Sequence, residues 1–380
     1  MPRLSSADHL GFVDKLRLMN WGLVLLIVAI GMIGIVLLYS AGGKSWHPWA
    51  GAQLTRFLIG LVAMLGLALV NIRFWLRVAY PLYGIMLALL VGVEVMGHIG
   101  MGAQRWINLG FFVLQPSELM KVALVLALAR YFHSLELDEI GRPAMLVPPI
   151  LMVLAPVGLV LLQPNLGTAT LLMLASAAMF FVAGVRWWKF ALVLAIVAAV
   201  APMAWHHLHD YQKARLLTFM DPGTDPLGAG YNILQSKIAL GSGGLFGRGF
   251  GMGTQSQLQF LPEKHTDFIF VVLAEEFGLV GALGLLLLYF LLLAYGFMIA
   301  LSCRSQFGRL AAFGLTTSFF LYVFVNVAMV TGLIPVVGIP LPLVSYGGTA
   351  MTTLLTGCGL LLGISIHREV RISRTGIGDS

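Results

Sequence analysis

The stretch Phe260-Leu-Pro-Glu-Lys-His-Thr-Asp-Phe-Ile-Phe-Val-Val-Leu-Ala-Glu-Glu-Phe-Gly278 passes from a long polar segment into an apolar one. Five polar side chains stand side by side at this boundary: Glu263, Lys264, His265, Thr266 and Asp267. A carboxylate between water and hydrocarbon loses part of its hydration, whereas neighbouring cations favour its charge. Opposed influences of this kind are typical of a general base. The stretch therefore predicts an apolar helix with reactive side chains at its entrance.

The same apolar character extends over the whole chain of 380 residues. Hydrophobic residues make up 59% of it and charged residues 10%, and the mean hydropathy is +0.92. A soluble core of this size does not need so much apolar surface. The composition predicts an all-α polytopic membrane protein that forms one integral membrane domain over residues 1–380. Cys303 and Cys358 lie in or beside apolar runs and are expected to be small buried side chains.

Ten apolar runs approach the roughly 20 residues needed to cross about 30 Å of hydrocarbon. They are Trp21–Ser40, Gln53–Val70, Ala79–Met96, Leu114–Phe132, Leu146–Leu162, Gly167–Val182, Phe190–Trp205, Phe268–Ala300, Leu310–Leu333 and Tyr346–Ile366. The first is expected to be retained as a helix, because no small-residue cleavage site follows it. Between the seventh and eighth runs lies one large polar loop, residues 206–266.

Basic residues between the runs predict the orientation of the chain. With ten crossings both termini lie on one side, and the short connections of that side carry most of the Lys and Arg residues. The other side, apart from the large loop, has only four: Lys44, Arg56, Arg105 and Lys121. Cytoplasmic connections are enriched in Lys and Arg. The termini are therefore predicted to be cytoplasmic, with the large loop and Asp267 outside, and the net charge of +7 needs no nucleic acid partner.

The large loop contains two patterns that imitate ligand sites. The cluster His206-His-Leu-His-Asp210 has no second group of ligands at a matching spacing, so we expect it to be solvated. The run Gly241-Ser-Gly-Gly-Leu-Phe-Gly-Arg-Gly-Phe-Gly-Met-Gly253 lacks the Gly-Lys-Ser/Thr ending of a nucleotide-binding loop. Tight turns explain most of its glycines. Exposed N–H groups, with Lys237 and Arg248 nearby, could still receive a pyrophosphate.

Charged residues inside apolar runs each cost about 2.5–3.5 kcal/mol at the bilayer centre, so they point to pairs or to function. Glu118 and Lys121 are three residues apart and share one helix face, where they can pair. The pair either ties two helices together or faces a substrate. Upstream, Arg105 and Trp106 could approach the same cavity, although a lone Trp is also a common interface anchor. Glu94 has no evident partner.

Two further features bear on the predicted site. Glu275 and Glu276 follow Asp267 by two turns, and because adjacent residues face different directions, at most one of them is expected to point into the cavity. The segment Ile334-Pro-Val-Val-Gly-Ile-Pro-Leu-Pro-Leu-Val-Ser-Tyr-Gly-Gly348 has three prolines and few polar groups. Apolar and irregular, it is predicted to re-enter the membrane packed against protein.

Four motifs carry a resemblance to a known family. They are Gln163-Pro-Asn-Leu-Gly-Thr-Ala169, Gly230-Tyr-Asn-Ile-Leu-Gln-Ser-Lys237, Leu261-Pro-Glu-Lys-His-Thr-Asp-Phe-Ile-Phe270 and Pro340-Leu-Pro-Leu-Val-Ser-Tyr-Gly-Gly348. With them the chain resembles, from its first run to its last, the SEDS family (shape, elongation, division and sporulation proteins). The stretch Gly332-Leu-Ile-Pro-Val-Val-Gly-Ile-Pro-Leu-Pro342 and the short N-terminus are more similar to the elongation branch of this family than to its division branch.

The resemblance implies a peptidoglycan glycosyltransferase of the bacterial inner membrane that polymerises lipid II at the periplasmic face during elongation. It implies as partners a class B penicillin-binding protein, which crosslinks the product, and other elongation-complex proteins. The family's essential acidic residue falls on Asp267, its helix-four carboxylate and lysine on Glu118 and Lys121, and its outer-loop tryptophan on Trp106. The family commonly has Asp where this chain has Asn165, so no essential anionic role is expected there.

The implied reaction joins a sugar 4-hydroxyl to an anomeric carbon whose leaving group is a lipid-linked pyrophosphate. The hydroxyl needs a base, for which we expect Asp267, and a single displacement inverts the anomeric carbon. The pyrophosphate needs positive charge, expected from Arg105, Lys237, Arg248 and Lys264. A divalent cation, Mg²⁺ or Mn²⁺, is expected to arrive with the substrate. The remaining predicted substrate-binding residues are His265, Thr266 and Ser345.

Two other functions fit the same architecture. A transporter that flips the lipid-linked precursor would also need many helices, intramembrane charges and a lipid-sized groove. Such transporters place their site near the midplane between related halves, whereas this reactive cluster lies at one lip and no internal repeat is visible. A scaffold that only activates a partner enzyme is the third possibility.

Overall fold

The computed structural model describes residues 11–96, 98–100, 103–108, 113–207, 213, 217–221, 229–257, 260 and 263–374. Within these residues almost all regular structure is helical. The histidine cluster of the large loop lies partly outside the described residues, because His209 and Asp210 are not among them. Whether it remains solvated therefore stays a prediction.

The helices follow one another through short connections. Before the large loop they are α1 (Phe12–Leu18), α2 (Trp21–Ala41), α3 (Ala50–Ala68), α4 (Ile72–Met96), α5 (Pro116–Ser134), α6 (Leu137–Ile140), α7 (Pro143–Leu162), α8 (Leu166–Ala183) and α9 (Trp187–His207). Within that loop lie α10 (Ala229–Ser242) and α11 (Thr254–Gln257). The last three are α12 (Ile269–Ser302), α13 (Gln306–Val330) and α14 (Gly348–Ile366).

A helix occupies each of the ten predicted apolar runs. In the described part of the chain, eight helices are long and apolar enough to cross a membrane. Helix α9 has a shorter apolar stretch, Trp187–Val200, and α5 is long but carries three charged residues, Glu118, Lys121 and Arg130. The predicted class, an all-α polytopic membrane protein, is confirmed. The number of crossings stays a prediction.

The connection between α4 and α5 is a small antiparallel sheet, which the sequence analysis did not predict. Its strands β1 (His98–Gly100), β2 (Ala103–Asn108) and β3 (Val113–Leu114) pair in the order β1-β2-β3. In the second pairing Ile107 lies opposite Leu114. Arg105 and Trp106 are consecutive residues of β2, so they project from opposite faces of the ribbon.

Small residues allow the most buried helices to approach closely. In α14 and α13, 72% and 67% of the apolar span is buried inside the protein. A Cβ added to Gly359 of α14 would lie 2.7 Å from the Met64 oxygen of α3, and one added to Gly60 would lie 2.4 Å from Leu355. Close approach over glycine is the usual basis of helix packing in membranes, where burial against lipid gives little driving force.

Helix α12 is not continuous, although its apolar run predicted one helix. At Gly278 the backbone has φ 66° and ψ −162°, which separates an outer half-helix (residues 269–277) from the remainder. The glycine segment (residues 243–251) enters the break. Four hydrogen bonds join them: Arg248 N to Glu275 O (3.0 Å), Gly249 N to Glu276 O (3.0 Å), Leu279 N to Gly244 O (2.9 Å) and Val280 N to Leu245 O (3.1 Å). The run of glycines is therefore an ordered insert that satisfies the interrupted helix backbone.

The segment between α13 and α14, residues 331–347, contains no helix or strand and lies against the middle of two helices. A Cβ on Gly34 of α2 would lie 2.6 Å from the Val344 Cα. Gly34 is seven residues from the end of α2, which corresponds to a depth of about 10 Å. The Tyr289 hydroxyl of α12 donates to the Pro342 oxygen at 2.6 Å. These contacts support the prediction of a re-entrant segment packed against protein.

Candidate active site

Asp267 lies in a series of turns that ends where α12 begins. Its backbone oxygen accepts a hydrogen bond at 2.9 Å from the amide of Asn326, which also donates to the Ile339 oxygen at 2.7 Å. The half-buried Asp267 carboxylate faces the 331–347 segment, because a Cβ on Gly338 would lie 3.3 Å from its Oδ2. One buried amide thus fixes Asp267 relative to the re-entrant segment.

Ser345 holds the turn that carries Thr266 and Asp267 through hydrogen bonds. Its hydroxyl donates to the Thr266 oxygen at 2.5 Å and accepts from the Leu341 N–H at 2.7 Å. The Gln53 amide donates to the Ser345 oxygen at 2.9 Å. Ser345 is only 4% exposed, so the structure gives it a supporting position behind Thr266 and not one at the surface of the site.

His265 belongs to a row of rings at the mouth of the site. It stacks on Trp49 with centroids 4.4 Å apart and planes 10° apart, and the centroid of the Tyr346 ring lies 6.0 Å away with its plane tilted by 55°. The Arg56 guanidinium lies 5.0 Å above Tyr346. Burial lowers the pKa of His265, Glu263 partly opposes this and Lys264 adds to it. The imidazole is therefore harder to protonate than a free one, which suits its stacking against the Trp49 ring.

Lys264 is turned into the protein and not toward the surface. Its side chain is 7% exposed. Burial lowers its pKa, and the Glu276 carboxylate opposes this in part. Beside it, the Thr266 hydroxyl donates to the Glu263 carboxylate at 2.8 Å. The predicted pyrophosphate contact of Lys264 would thus require this buried ammonium to be uncovered.

Glu118 and Lys121 form the predicted pair, and a tyrosine completes it. Lys121 Nζ lies 2.6 Å from Glu118 Oε1, and the Tyr322 hydroxyl donates to Glu118 Oε2 at 2.6 Å. Lys121 also contacts the Tyr322 hydroxyl. The two charged side chains are 5% and 6% exposed, so the triad ties α5 to α13. The structure thus shows the helix tie, and the substrate-facing alternative stays a prediction, although Lys121 and Tyr322 also line a cavity with apolar walls.

The other predicted cations lie on separate elements. Arg105 donates to the Gln163 oxygen at 3.0 Å and to the Pro164 oxygen at 2.5 Å, so it holds β2 against the α7–α8 connection, beside the half-buried Trp106. Lys237 is exposed on α10 with its stem next to Gly332. Arg248 is exposed in the glycine segment and donates to the Thr254 hydroxyl at 2.8 Å.

Asn165 lies directly before α8, where its side-chain oxygen accepts from the Thr168 N–H at 3.2 Å. An amide oxygen in this position caps the helix as an aspartate would. The position thus has a structural use that does not require a charge.

A known protein family matches nearly the whole chain. Residues 17–370 match the FtsW/RodA/SpoVE family of cell cycle proteins. This chain belongs to that family. The resemblance to SEDS proteins drawn from the four motifs is therefore confirmed.

Relatives of this SEDS protein cover nearly its whole length. Peptidoglycan glycosyltransferase MrdB of Escherichia coli K12 is 44% identical over 362 residues, 94% of this chain and 96% of the relative. Stage V sporulation protein E of Bacillus subtilis is 36% identical over 358 residues, 90% and 96% of the two chains.

Solved structures share the fold. A chain from work titled structural coordination of polymerization and crosslinking by a peptidoglycan synthase complex has 37% identity and a TM-score of 0.79, covering 92% of this chain and 98% of that one. Rod shape determining protein RodA of Thermus thermophilus has 34% identity and a TM-score of 0.70, covering 92% and 97%.

In this SEDS protein several site residues escaped the sequence analysis. Tyr322 and Asn326 sit in the apolar run of α13, and Gln53 opens that of α3. Polar side chains at such positions need partners, which is a signal that sequence can offer. The stacking of Trp49 and Tyr346 around His265 could not be predicted in this way, because these rings are apolar and lie far apart in the sequence.

Proposed function

We propose that this chain is a peptidoglycan glycosyltransferase that polymerises lipid II during cell-wall elongation. The observation that carries the proposal is the placement of Asp267, a half-buried carboxylate at the entrance of α12 that Asn326 fixes beside the re-entrant segment. Relatives named peptidoglycan glycosyltransferase support the same reaction.

In the proposed reaction Asp267 is the general base. Its carboxylate takes the proton of a sugar 4-hydroxyl, and the hydroxyl oxygen forms a bond to the anomeric carbon of a second, lipid-linked sugar. The bond from that carbon to the undecaprenyl pyrophosphate breaks, and the departing oxygen keeps the electron pair. A single displacement inverts the anomeric carbon. The leaving group is already good, so no acid is needed.

The pyrophosphate is expected to meet cations at the outer side of Asp267. Among the four predicted cations, Lys237 and Arg248 have exposed side chains, whereas Arg105 donates to backbone oxygens and Lys264 is buried. We expect Mg²⁺ or Mn²⁺ to enter with the substrate. The described residues contain no group of three His, Cys, Asp or Glu side chains suited to hold a metal.

The lipid part of the substrate needs an apolar surface at membrane depth. The cavity beside Lys121 and Tyr322 lies among α5, α12, α13 and α14, and its walls include Leu292, Leu315, Phe319 and Leu354. Part of an undecaprenyl chain fits such walls, with Lys121 and Tyr322 at their polar edge. We propose that this cavity receives the lipid.

The proposal includes a cellular setting. The chain lies in the bacterial inner membrane with cytoplasmic termini and a periplasmic site, and a class B penicillin-binding protein of the elongation complex crosslinks its product. The likeness to a chain from a peptidoglycan synthase complex supports such a partner.

Purified protein reconstituted in liposomes with labelled lipid II tests the reaction. We expect glycan polymer from the wild type and at least a 100-fold lower rate from Asp267→Asn, since general-base catalysis contributes about 10²–10⁴-fold. Asp138→Asn, an exposed carboxylate of α6, is the matched control and should retain activity. Polymer made equally well by Asp267→Asn would exclude the base assignment. Leaflet exchange of lipid II without polymer would instead identify a transporter.

A further inference from the structure

Arg56 of α3 is an exposed cation at the mouth of the site. The centre of its guanidinium lies 5.0 Å above the Tyr346 ring. Among the residues that the structure describes, no hydrogen bond or ion pair occupies its N–H groups. A guanidinium that rests on an aromatic ring is held by its charge, while its donors remain available to an anion.

Hydrogen bonds connect this position to the turn that carries Asp267. The Tyr346 N–H donates to the His265 oxygen at 2.8 Å, and Asp267 follows His265 by two residues. Almost one turn before Arg56 on α3, the Gln53 amide donates at 2.9 Å to the backbone oxygen of the residue that precedes Tyr346. Arg56 therefore lies at the same end of the helices as Asp267.

The depth of Arg56 corresponds to the edge of the hydrocarbon core. A Cβ added to Gly348, the first residue of α14, would lie 3.4 Å from the guanidinium carbon of Arg56. Helix α14 has 19 residues, which gives a length of about 28 Å, and the hydrocarbon core is about 30 Å thick. The first residue of such a helix lies near one surface of the core, so Arg56 is at the level of lipid phosphate groups.

Along α3 from Arg56 toward the other end of the helix, the outward face is apolar. Leu58, Ile59 and Val62 are 52%, 67% and 72% exposed, at the three- and four-residue spacing that places side chains on one helix face. The opposite face packs on α2 and α14. A cation at the head of an exposed apolar face matches a lipid with an anionic head group.

The proposed reaction needs a second site for a lipid. Polymerisation of lipid II begins with two lipid-linked molecules, one that offers the hydroxyl and one that offers the anomeric carbon. The cavity beside Lys121 and Tyr322 is lined by residues of α5, α12, α13 and α14 and by none of α3. The exposed face of α3 is therefore a separate surface at the same end of the molecule as Asp267.

We propose that Arg56, held over Tyr346, binds the pyrophosphate of a lipid-linked substrate whose polyprenyl chain lies along the exposed face of α3. The paired N–H groups of a guanidinium match phosphate oxygens. The inference rests on the proposed function and adds to it a binding residue and a path for the second lipid.

Polymerisation of lipid II by the full chain in liposomes gives the first test. We expect Arg56→Gln to raise KM about tenfold and to change kcat less than about threefold, because the lost contact stabilises the ground and transition states alike. Arg56→Lys keeps the charge without the paired N–H groups, so its KM should lie between the two. An unchanged KM in Arg56→Gln would overturn the proposal.

Lys44→Gln is the matched control, since Lys44 is an exposed cation on the α2–α3 connection. Its side chain lies against Gly251 of the glycine segment. This variant loses the same charge, and its KM should stay within about twofold of the wild type because salt screens the more distant charge. An equal rise of KM in both variants would show a general attraction of the anionic substrate and would overturn a specific site at Arg56.

Photo-crosslinking locates the lipid without turnover. Benzoylphenylalanine in place of Ile59 should crosslink to labelled undecaprenyl pyrophosphate in liposomes, and addition of Arg56→Gln should lower the yield severalfold. Leu194 of α9 is 70% exposed, and the same replacement there should give a lower yield that Arg56→Gln leaves unchanged. Equal yields at the two positions, or a yield at position 59 that does not depend on Arg56, would overturn the proposal.

A competitor distinguishes the source of the phosphate. Excess phosphatidylglycerol should leave the crosslink at position 59 in place; its loss would show a site for any anionic lipid and would overturn the substrate assignment. The two proposals also fail separately. A wild type that makes no polymer would refute the proposed function, whereas the crosslink would still decide whether Arg56 binds a lipid-linked pyrophosphate.

Discussion

At the scale of single residues, His265 makes stability depend on pH. Burial beside the rings of Trp49 and Tyr346 lowers its pKa, so the unfolded chain binds a proton at a higher pH than the folded chain does. The resulting stability is fully present above the unfolded pKa of about 6.5 and declines as the pH falls below it. We expect His265→Gln to reduce the slope of unfolding free energy between about pH 5 and 6.5, measured by denaturant unfolding in detergent.

The control for this prediction lies on the α2–α3 connection, which also carries Trp49. His47 is exposed, and His47→Gln should leave the slope as it is in the wild type. Some slope should remain in His265→Gln, because burial also lowers the pKa of His367 after α14. Equal slopes in His265→Gln and the wild type would contradict the prediction.

At the scale of elements, the glycine segment must reach the break in α12 without side chains. Gly247 has φ 80°, and a Cβ there would lie 2.1 Å from the Glu276 oxygen. Gly247→Ala should therefore expel the segment, with a loss of about 2–4 kcal/mol in unfolding free energy and most of the polymerisation activity. Thermal unfolding and lipid II polymerisation measure the two effects.

Gly244→Ala is the matched control within the glycine segment. Gly244 also has a positive φ, 54°, but a Cβ there meets nothing within 4 Å. Only the backbone strain of about 1–2 kcal/mol should appear. Similar losses in the two variants would show that strain, and not the contact with α12, dominates at Gly247.

The tie between α5 and α13 predicts non-additive effects. Lys121→Met leaves the buried Glu118 without its cation and should cost about 3–5 kcal/mol in unfolding free energy. The double variant Glu118→Gln/Lys121→Met removes both charges and should recover at least half of that loss. Denaturant unfolding of both single variants and of the double variant measures the coupling. A double variant as unstable as the sum of the two single variants would show that the pair does not act as a unit.

Elements and site were predictable to different degrees for physical reasons. Hydropathy located all ten long helices, and the three-residue spacing of Glu118 and Lys121 located their pair, because both signals are local in sequence. The break at Gly278 was hidden, since the apolar run continues through it and the partner that makes the break possible lies about 30 residues earlier. Tyr322, which completes the triad with Glu118 and Lys121, is 204 residues from Glu118. Contacts at such separations leave no periodic pattern.

At the scale of the whole molecule, the basic residues predicted for the cytoplasmic side meet at one end of the helices. Lys15 donates to the Leu69 oxygen of the α3–α4 connection at 2.7 Å, and Lys189 donates to the Gly141 oxygen before α7 at 2.9 Å. Arg374 pairs with Glu136 at 2.5 Å. Connections that the charge rule placed on one side are thus in direct contact. Lys15 also complements the carbonyl end of α3, which adds a structural use to the topological one.

The orientation itself is open to a direct test by cysteine labelling. The two native thiols should not react with a maleimide, since both are buried and burial raises the pKa of Cys303 to about 11. In spheroplasts a membrane-impermeant maleimide should label Met252→Cys, which is exposed after the glycine segment, and should label Asp14→Cys of α1 only after detergent is added. The opposite pattern would place Asp267 on the cytoplasmic side, where a polymer destined for the cell wall could not be made in place. Equal labelling of both before detergent would show leaky spheroplasts, which a cytosolic marker enzyme detects independently.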